Sequence, residues 1–191
     1  GAVGITLAGT AIVGGTAPAT RNVIAGHSQS AIQDFNMPTL ATIQGNLIGV
    51  DASGQFAPPG QAVGLSLSFR SQGSTVGGGN PLARNVIAGF QFQALAVFTT
   101  GMLAAQPPLR IQGNYLGTTA TGGAGIGNGL GLGTGSATGQ IQLFGLGSCG
   151  TAVGGSFAGE GNLIAYGLGS GIEVAGCRDA PLVGNRFARN R

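Results

Sequence analysis

A six-residue word, Arg21-Asn22-Val23-Ile24-Ala25-Gly26, returns unchanged as Arg84-Asn85-Val86-Ile87-Ala88-Gly89. Its surroundings return with it. Ile12-Val13-Gly14-Gly15 precedes the first copy and Thr75-Val76-Gly77-Gly78 the second. Ile43-Gln44-Gly45-Asn46-Leu47-Ile48-Gly49 follows the first, and Ile111-Gln112-Gly113-Asn114-Tyr115-Leu116-Gly117 follows the second. A worn third copy runs through Ala152-Val153-Gly154-Gly155, Gly161-Asn162-Leu163-Ile164-Ala165 and Val183-Gly184-Asn185-Arg186-Phe187. A unit repeated at this spacing buries its apolar face only against its neighbours, so the chain is expected to stack as a solenoid.

The unit is written in strands. Ile5 and Leu7, Leu65 and Leu67, Ile141 and Leu143, and Ile172 and Val174 alternate with small or polar residues. That period of two sends them to one face of a strand. Signals for helices are close to absent, and short strands divided by turns suit a coil with three strands. Aligning the Asn-aliphatic-aliphatic words stacks Asn22, Asn46, Asn85, Asn114, Asn162 and Asn185 in one column, which predicts about six coils. Asn tolerates the left-handed backbone of a tight corner, and its amide can bond the amides above and below, so an inward Asn ladder is expected. Ile24 over Ile48 and Ile87 over Leu116 would fill the bore, each side chain contributing roughly 1.5 to 3 kcal/mol on burial. The expectation is a single all-β domain over residues 1–191, a parallel β-helix.

Composition tests that expectation. The 40 glycines and 7% charged residues are compatible with disorder, but 42% of the chain is hydrophobic and recurs in register. Glycine without a three-residue period excludes collagen. The net charge of +3 rests on arginines scattered along the chain, which argues against a nucleic-acid partner; Arg21 and Arg84 share a repeat position and read as structural. No apolar run reaches the roughly 18 to 20 residues of a bilayer span, so no membrane insertion is expected. Gly1-Ala2-Val3-Gly4-Ile5 reads as mid-fold strand, as if the chain were a piece of a longer array. Exposed strand edges at the solenoid ends would favour end-to-end stacking or further coils.

Arg-Asn-Val-Ile-Ala-Gly at 21–26, Gly-Asn-Leu-Ile-Gly-Val-Asp-Ala-Ser-Gly at 45–54 and Gly-Asn-Tyr-Leu-Gly-Thr-Thr-Ala-Thr-Gly at 113–122 resemble the right-handed parallel β-helix repeats of secreted bacterial proteins of the pectin-lyase-like group. The resemblance implies the fold over nearly the whole chain. It is unspecific for activity, because that fold carries lyases, hydrolases, epimerases, tailspikes and adhesins.

The coils differ in their loops. Residues 50–61, with Pro58-Pro59, and residues 118–140, rich in glycine, leave the same corner and are expected to project from one side. Such loops on a rigid scaffold are a usual seat of binding. The second also reads as a solvated flap or a degenerate extra coil. Thr99-Thr100 and Thr118-Thr119 fall at different repeat positions, which argues against a flat threonine array.

Cys149 and Cys177 follow equivalent strand words on successive coils. Neighbouring strands lie about 4.8 Å apart, within reach of a disulfide, and two buried free thiols are the alternative. A disulfide implies an oxidising compartment and would resist fraying of the last coils. Zinc is disfavoured, since His27 is the one histidine and the cysteines lack paired spacing. No cofactor is implied.

The acids are Asp34, Asp51, Glu160, Glu173 and Asp179. A glycosidase needs two carboxylates about one bond, whereas lyases resembling this chain rely on a basic residue, often beside calcium-binding acids on one strand column. Asp34, Glu160 and Asp179 read as turn residues, Asp51 as the cap of a loop, and His27 as a surface turn residue without a nucleophile to serve. Glu173 sits on a strand word and points outward. With Arg178 and Asp179 it is the densest charged cluster, a weak catalytic candidate whose plain alternative is a surface ion pair worth about 0 to 1 kcal/mol. The leading functional expectation is a non-enzymatic, secreted or cell-surface scaffold or adhesin segment, facing a polysaccharide or cell-surface glycan. The competing one is a polysaccharide lyase or hydrolase.

Overall fold

Alternating side chains and glycine-marked corners wind the chain into six coils of three short strands, seen in a computed structural model that describes residues 1–34, 36–99, 107–129 and 140–190. The first coil holds β1 (Ile5–Thr6), β2 (Gly9–Gly14) and β3 (Val23–Ile24); the second holds β4 (Ser30–Gln33), β5 (Thr39–Gln44) and β6 (Leu47–Ile48). The third holds β7 (Val63–Ser68), β8 (Thr75–Gly77) and β9 (Val86–Ile87), and the fourth β10 (Leu95–Thr99), β11 (Leu109–Gln112) and β12 (Tyr115–Leu116). The fifth holds β13 (Ile141–Ser148), β14 (Thr151–Gly154) and β15 (Leu163–Ala165), and the sixth β16 (Ile172–Arg178), β17 (Leu182–Val183) and β18 (Arg186–Ala188). First strands pair only with first strands, second with second and third with third, giving three parallel six-stranded sheets, here A, B and C.

The register turns the repeated words into columns. Ile5, Ile32, Leu65, Leu95, Ile141 and Ile172 stack in sheet A. Val13, Ile43, Val76, Ile111 and Val153 stack in sheet B, and Ile24, Ile48, Ile87, Leu116 and Ile164 in sheet C. These side chains meet in the bore as one apolar cluster, most of them fully buried. A second cluster lies outside the bore. Leu47 and Val86, on the outer face of sheet C, are covered with Val50 and Ala88 by Ala57, Ala120 and Ile126. The described parts of both long loops therefore lie over sheet C, where Ala120 N–H donates to Gly54 O at 2.9 Å; residues 130–139 lie outside the described residues.

The six asparagines stand one above another at the corner between sheets B and C. Each Nδ2 donates to the Oδ1 of the next, from Asn22 to Asn46 (3.0 Å), Asn85 (3.0 Å), Asn114 (2.9 Å), Asn162 (3.0 Å) and Asn185 (2.8 Å). The second amide hydrogen closes on a sheet B carbonyl of the coil below, Ile43 O for Asn85 and Val76 O for Asn114. One feature of the expectation is corrected: none of the six has left-handed backbone. The glycine before the asparagine carries it, at Gly45 (φ 71°), Gly113 (φ 65°) and Gly184 (φ 68°), because a Cβ in that position would strike the facing backbone. Arg21 and Arg84 stand at the same position in their coils and donate from Nε to the glycine carbonyls Gly45 O and Gly113 O. Arg84 also lies 4.0 Å over the Tyr115 ring.

A second amide ladder occupies the corner between sheets C and A. Gln61 Nε2 donates to Gly49 O and its Oε1 accepts from Gly26 N–H. Higher up, Asn128 Nδ2 donates to Gln140 Oε1 and Gln140 Nε2 to Asn190 Oδ1, each at 2.8 Å. These residues come from loops of unequal length, so no repeat spacing marks them in the chain. Among the described residues no helix is long and apolar enough to cross a membrane.

Candidate functional site

Sheet C is roofed by loops, and sheet B presents a mixed outer row in which Ile12, Thr42, Thr75 and Arg110 share a register. Sheet A carries the most concentrated outward chemistry. On its outer face Gln142 lies between Ala96 and Glu173, and two residues along the strands Phe98 and Phe144 lie between Ser68 and Ala175. Gln93 Nε2 donates to Gln142 Oε1 at 2.6 Å, and Gln142 Nε2 donates to Glu173 Oε2 at 2.9 Å. The Phe98 and Phe144 rings stack with centroids 6.4 Å apart and planes inclined by 24°. Both are substantially exposed, Phe98 by 49% and Phe144 by 40%. Beyond Phe144 the strand bulges: Gly145 and Leu146 face the single Gly176, and Leu146 is thrust outward, 79% exposed. The result is an apolar ridge of two rings and a leucine beside a row of amide and carboxylate groups.

The cysteines close this edge of the sheet. Cys149 and Cys177 form a disulfide with Cα atoms 5.0 Å apart, joining the fifth and sixth coils. Glu173 points outward and is half-buried in the glutamine row. Arg178 lies five positions further along the same extended strand, about 16 Å at roughly 3.3 Å per residue, so the two do not share one centre. Arg178 ends β16 and its exposed neighbour Asp179 opens the corner after it in left-handed backbone (φ 59°).

Two other predicted placements change. Asp34 is no ordinary turn residue: it follows β4 in the column of Leu7 and Leu67 and is 2% exposed. Its carboxylate accepts from Ser68 N–H (2.7 Å), Ser68 Oγ (2.9 Å), Ser71 Oγ (2.5 Å) and Asn36 N–H (3.0 Å). A carboxyl group is accommodated in the wall of an apolar bore because four donors replace its water. His27 is half-buried against Gly4, with a buried Nδ1 that has no hydrogen-bond partner. Asp51 does cap its loop, accepting from Ser53 Oγ and from Gln55 and Phe56 N–H; those bonds, that from Ser53 first, hold its carboxyl below the ordinary value. Among the described residues no three His, Cys, Asp or Glu side chains gather as a metal site.

One feature escaped the sequence reading. The corner after each sheet C strand is glycine in left-handed backbone in four coils, Gly26, Gly49, Gly89 and Gly117, with φ from 76° to 85°. In the fifth and sixth coils the same corner is Tyr166 (φ 59°) and Arg189 (φ 53°). Such backbone costs a residue with a side chain on the order of 1–3 kcal/mol. The signal was present, since Ile164-Ala165 is followed by Tyr where Ile24-Ala25 and Ile87-Ala88 are followed by Gly. Compared with known proteins, the chain matches no family model, no curated protein and no solved structure.

Proposed function

We propose that this chain is a rigid, non-enzymatic scaffold whose sheet A face docks glycan chains, as part of a secreted or cell-surface protein of the parallel β-helix type its repeats resemble. The observation that carries the reading is the exposed Phe98–Phe144 stack with Leu146 beside the Gln93–Gln142–Glu173 row. Exposed aromatic surface on a rigid element marks an interaction site. A sugar ring offers both an apolar face for the phenyl rings and hydroxyls for the neighbouring amides. The bore and the two amide ladders hold this face with no need for ligand to order it, which lowers the entropic cost of binding. The disulfide fits an oxidising, extracellular setting.

The test is co-sedimentation of the protein with insoluble and immobilised polysaccharides, with products assayed for new chain ends. Binding that is weakened in a Phe98→Ala, Phe144→Ala double variant, with no new ends, is the expected result. Release of new ends by the wild type, abolished in Glu173→Gln, would replace the scaffold reading with the polysaccharide-processing one.

A further inference from the structure

We propose that Tyr166 and Arg189 form a binding site for an oxyanion carried on a glycan, a carboxylate or sulfate group of an acidic sugar. The proposal rests on the glycan-docking reading and adds to it a second position and a ligand charge. The two side chains stand two residues past the stacked sheet C residues Ile164 and Phe187, where the first and third coils have Gly26 and Gly89, and they occupy left-handed backbone to do so. They also meet. Arg189 Nη1 donates to the Tyr166 hydroxyl at 3.1 Å, and its guanidinium carbon lies 5.5 Å from the ring centroid. Together with Gly167 and Leu168 they line a cavity of about 420 Å³.

The site is held from below. Gly167 N–H donates to Asn190 Oδ1 at 2.9 Å, Asn190 Nδ2 donates to Ile164 O at 3.0 Å, and Tyr166 N–H donates to Ala188 O at 3.1 Å. Gly125 lies so close to the Tyr166 ring that any side chain there would collide with it, so the loop braces the ring. The ring and the braced backbone fix the guanidinium rather than leaving it on a free arm.

The chemistry of the cavity is one-sided. A guanidinium has only donors, one of which is spent on Tyr166, and the hydroxyl that accepts that bond keeps its own hydrogen to donate. Leu168 N–H is spent on Asn128 O, and Leu168 contributes a half-exposed apolar wall. Among the described residues no carboxylate pairs with Arg189. Converging donors with no carboxylate beside them among the described residues select an anion, and the planar fork matches the paired oxygens of carboxylate or sulfate.

The experiment titrates the whole chain, by calorimetry, with a galacturonate hexasaccharide, a sulfated heparin-derived hexasaccharide and a neutral cello-oligosaccharide. At least one acidic probe is expected to bind more tightly than the neutral one and to weaken as salt is raised. Arg189→Gly restores the residue used at this corner elsewhere, so it keeps the fold, as a melting curve will verify. It is expected to weaken acidic-probe binding about tenfold or more, the scale for losing a charge-assisted hydrogen bond. Tyr166→Phe keeps the ring, removes the hydroxyl and is expected to weaken it in the same direction by less. Comparison of the two acidic probes separates carboxylate from sulfate recognition. Unchanged affinity in Arg189→Gly, or acidic probes no tighter than the neutral one, overturns the proposal. If the neutral probe still binds through Phe98 and Phe144, the docking reading survives that failure; if no probe binds, both fall.

Discussion

Asn85 donates its side-chain amide to Asn114 across 2.9 Å, and neither residue has any exposed surface. The Asn114 amide passes the bond on to Asn162 at 3.0 Å, so each residue is acceptor for the coil below and donor to the coil above. A chain of this kind is costly to interrupt in the middle and cheap to shorten at an end.

Asn114→Ala strands the Nδ2 and N–H of Asn85, which both point at Asn114 Oδ1, and removes the donor to Val76 O. With each buried unsatisfied group costing about 1–3 kcal/mol, the expected loss is about 3 kcal/mol or more. Asn22→Ala, at the exposed start of the ladder, is expected to lose about 1 kcal/mol or less. Urea unfolding of both variants checks the contrast, and equal losses would show that the ladder does not act as a chain.

Asp34→Ala leaves two serine hydroxyls and two backbone N–H groups without their acceptor. The expected destabilisation is about 3 kcal/mol or more, because each buried donor left unsatisfied costs about 1–3 kcal/mol. Asp34→Leu restores the aliphatic residue of its column but not the acceptor. It is expected to stay less stable than wild type in the same unfolding assay, and a more stable protein would mean the bore, not the carboxylate, governs this corner.

The disulfide spans 28 residues. Loop-closure entropy for that span gives about 3–4 kcal/mol, so Cys149→Ser with Cys177→Ser should lose about that amount. Hydrogen exchange is expected to accelerate in β13 and β16 before the lower coils, since each coil contacts only its neighbours. Uniform acceleration along the solenoid would contradict that localisation.

Gly26 and Gly49 both turn the corner after sheet C in one backbone conformation (φ 80° and 81°), yet a Cβ on Gly26 meets open space while one on Gly49 meets Ala88 O and the Phe90 ring. Gly26→Ala therefore carries the conformational cost alone, about 1–2 kcal/mol. Gly49→Ala adds a backbone clash and is expected to cost about 3 kcal/mol or more. Thermal melts that rank the two in the opposite order would refute the packing argument.

Asp51 has a folded-state pKa below its ordinary value of 3.8, through bonds from Ser53, Phe56 and Gln55. A depressed carboxyl contributes stability that is present above the unfolded value and disappears as pH falls through the folded one. Wild type should therefore lose part of its margin over Asp51→Asn as pH drops below 3.8. Parallel melting curves for the two proteins across that range would remove Asp51 from the acid response.

The columns of the bore and the asparagine ladder were legible in the chain because they depend on local period. A strand sends alternate residues inward whatever lies around it, and a repeated word lands on its own copy one or two coils up. Ile24 over Ile48 and Asn22 beneath Asn46 follow from spacing alone. The cysteine pair was legible for the same reason, as Cys149 directly follows β13 and Cys177 lies near the end of the equivalent strand β16.

What spacing leaves open is everything set by how the unequal insertions fold back. Gln61, Asn128, Gln140 and Asn190 share no period and become a ladder only when their loops return to one corner. Asp34 reads as a turn acid until Ser68 and Ser71, more than thirty residues on, close around it. Glu173 and Arg178 look like neighbours in the chain, but an extended strand draws them apart. Tyr166 and Arg189 look unrelated, yet two consecutive coils set them one above the other. Local sequence dictated the coil, since strand period and glycine corners act within a few residues; the faces and pockets that can bind anything awaited long-range contacts, which alone decide what covers each sheet and which side chains meet.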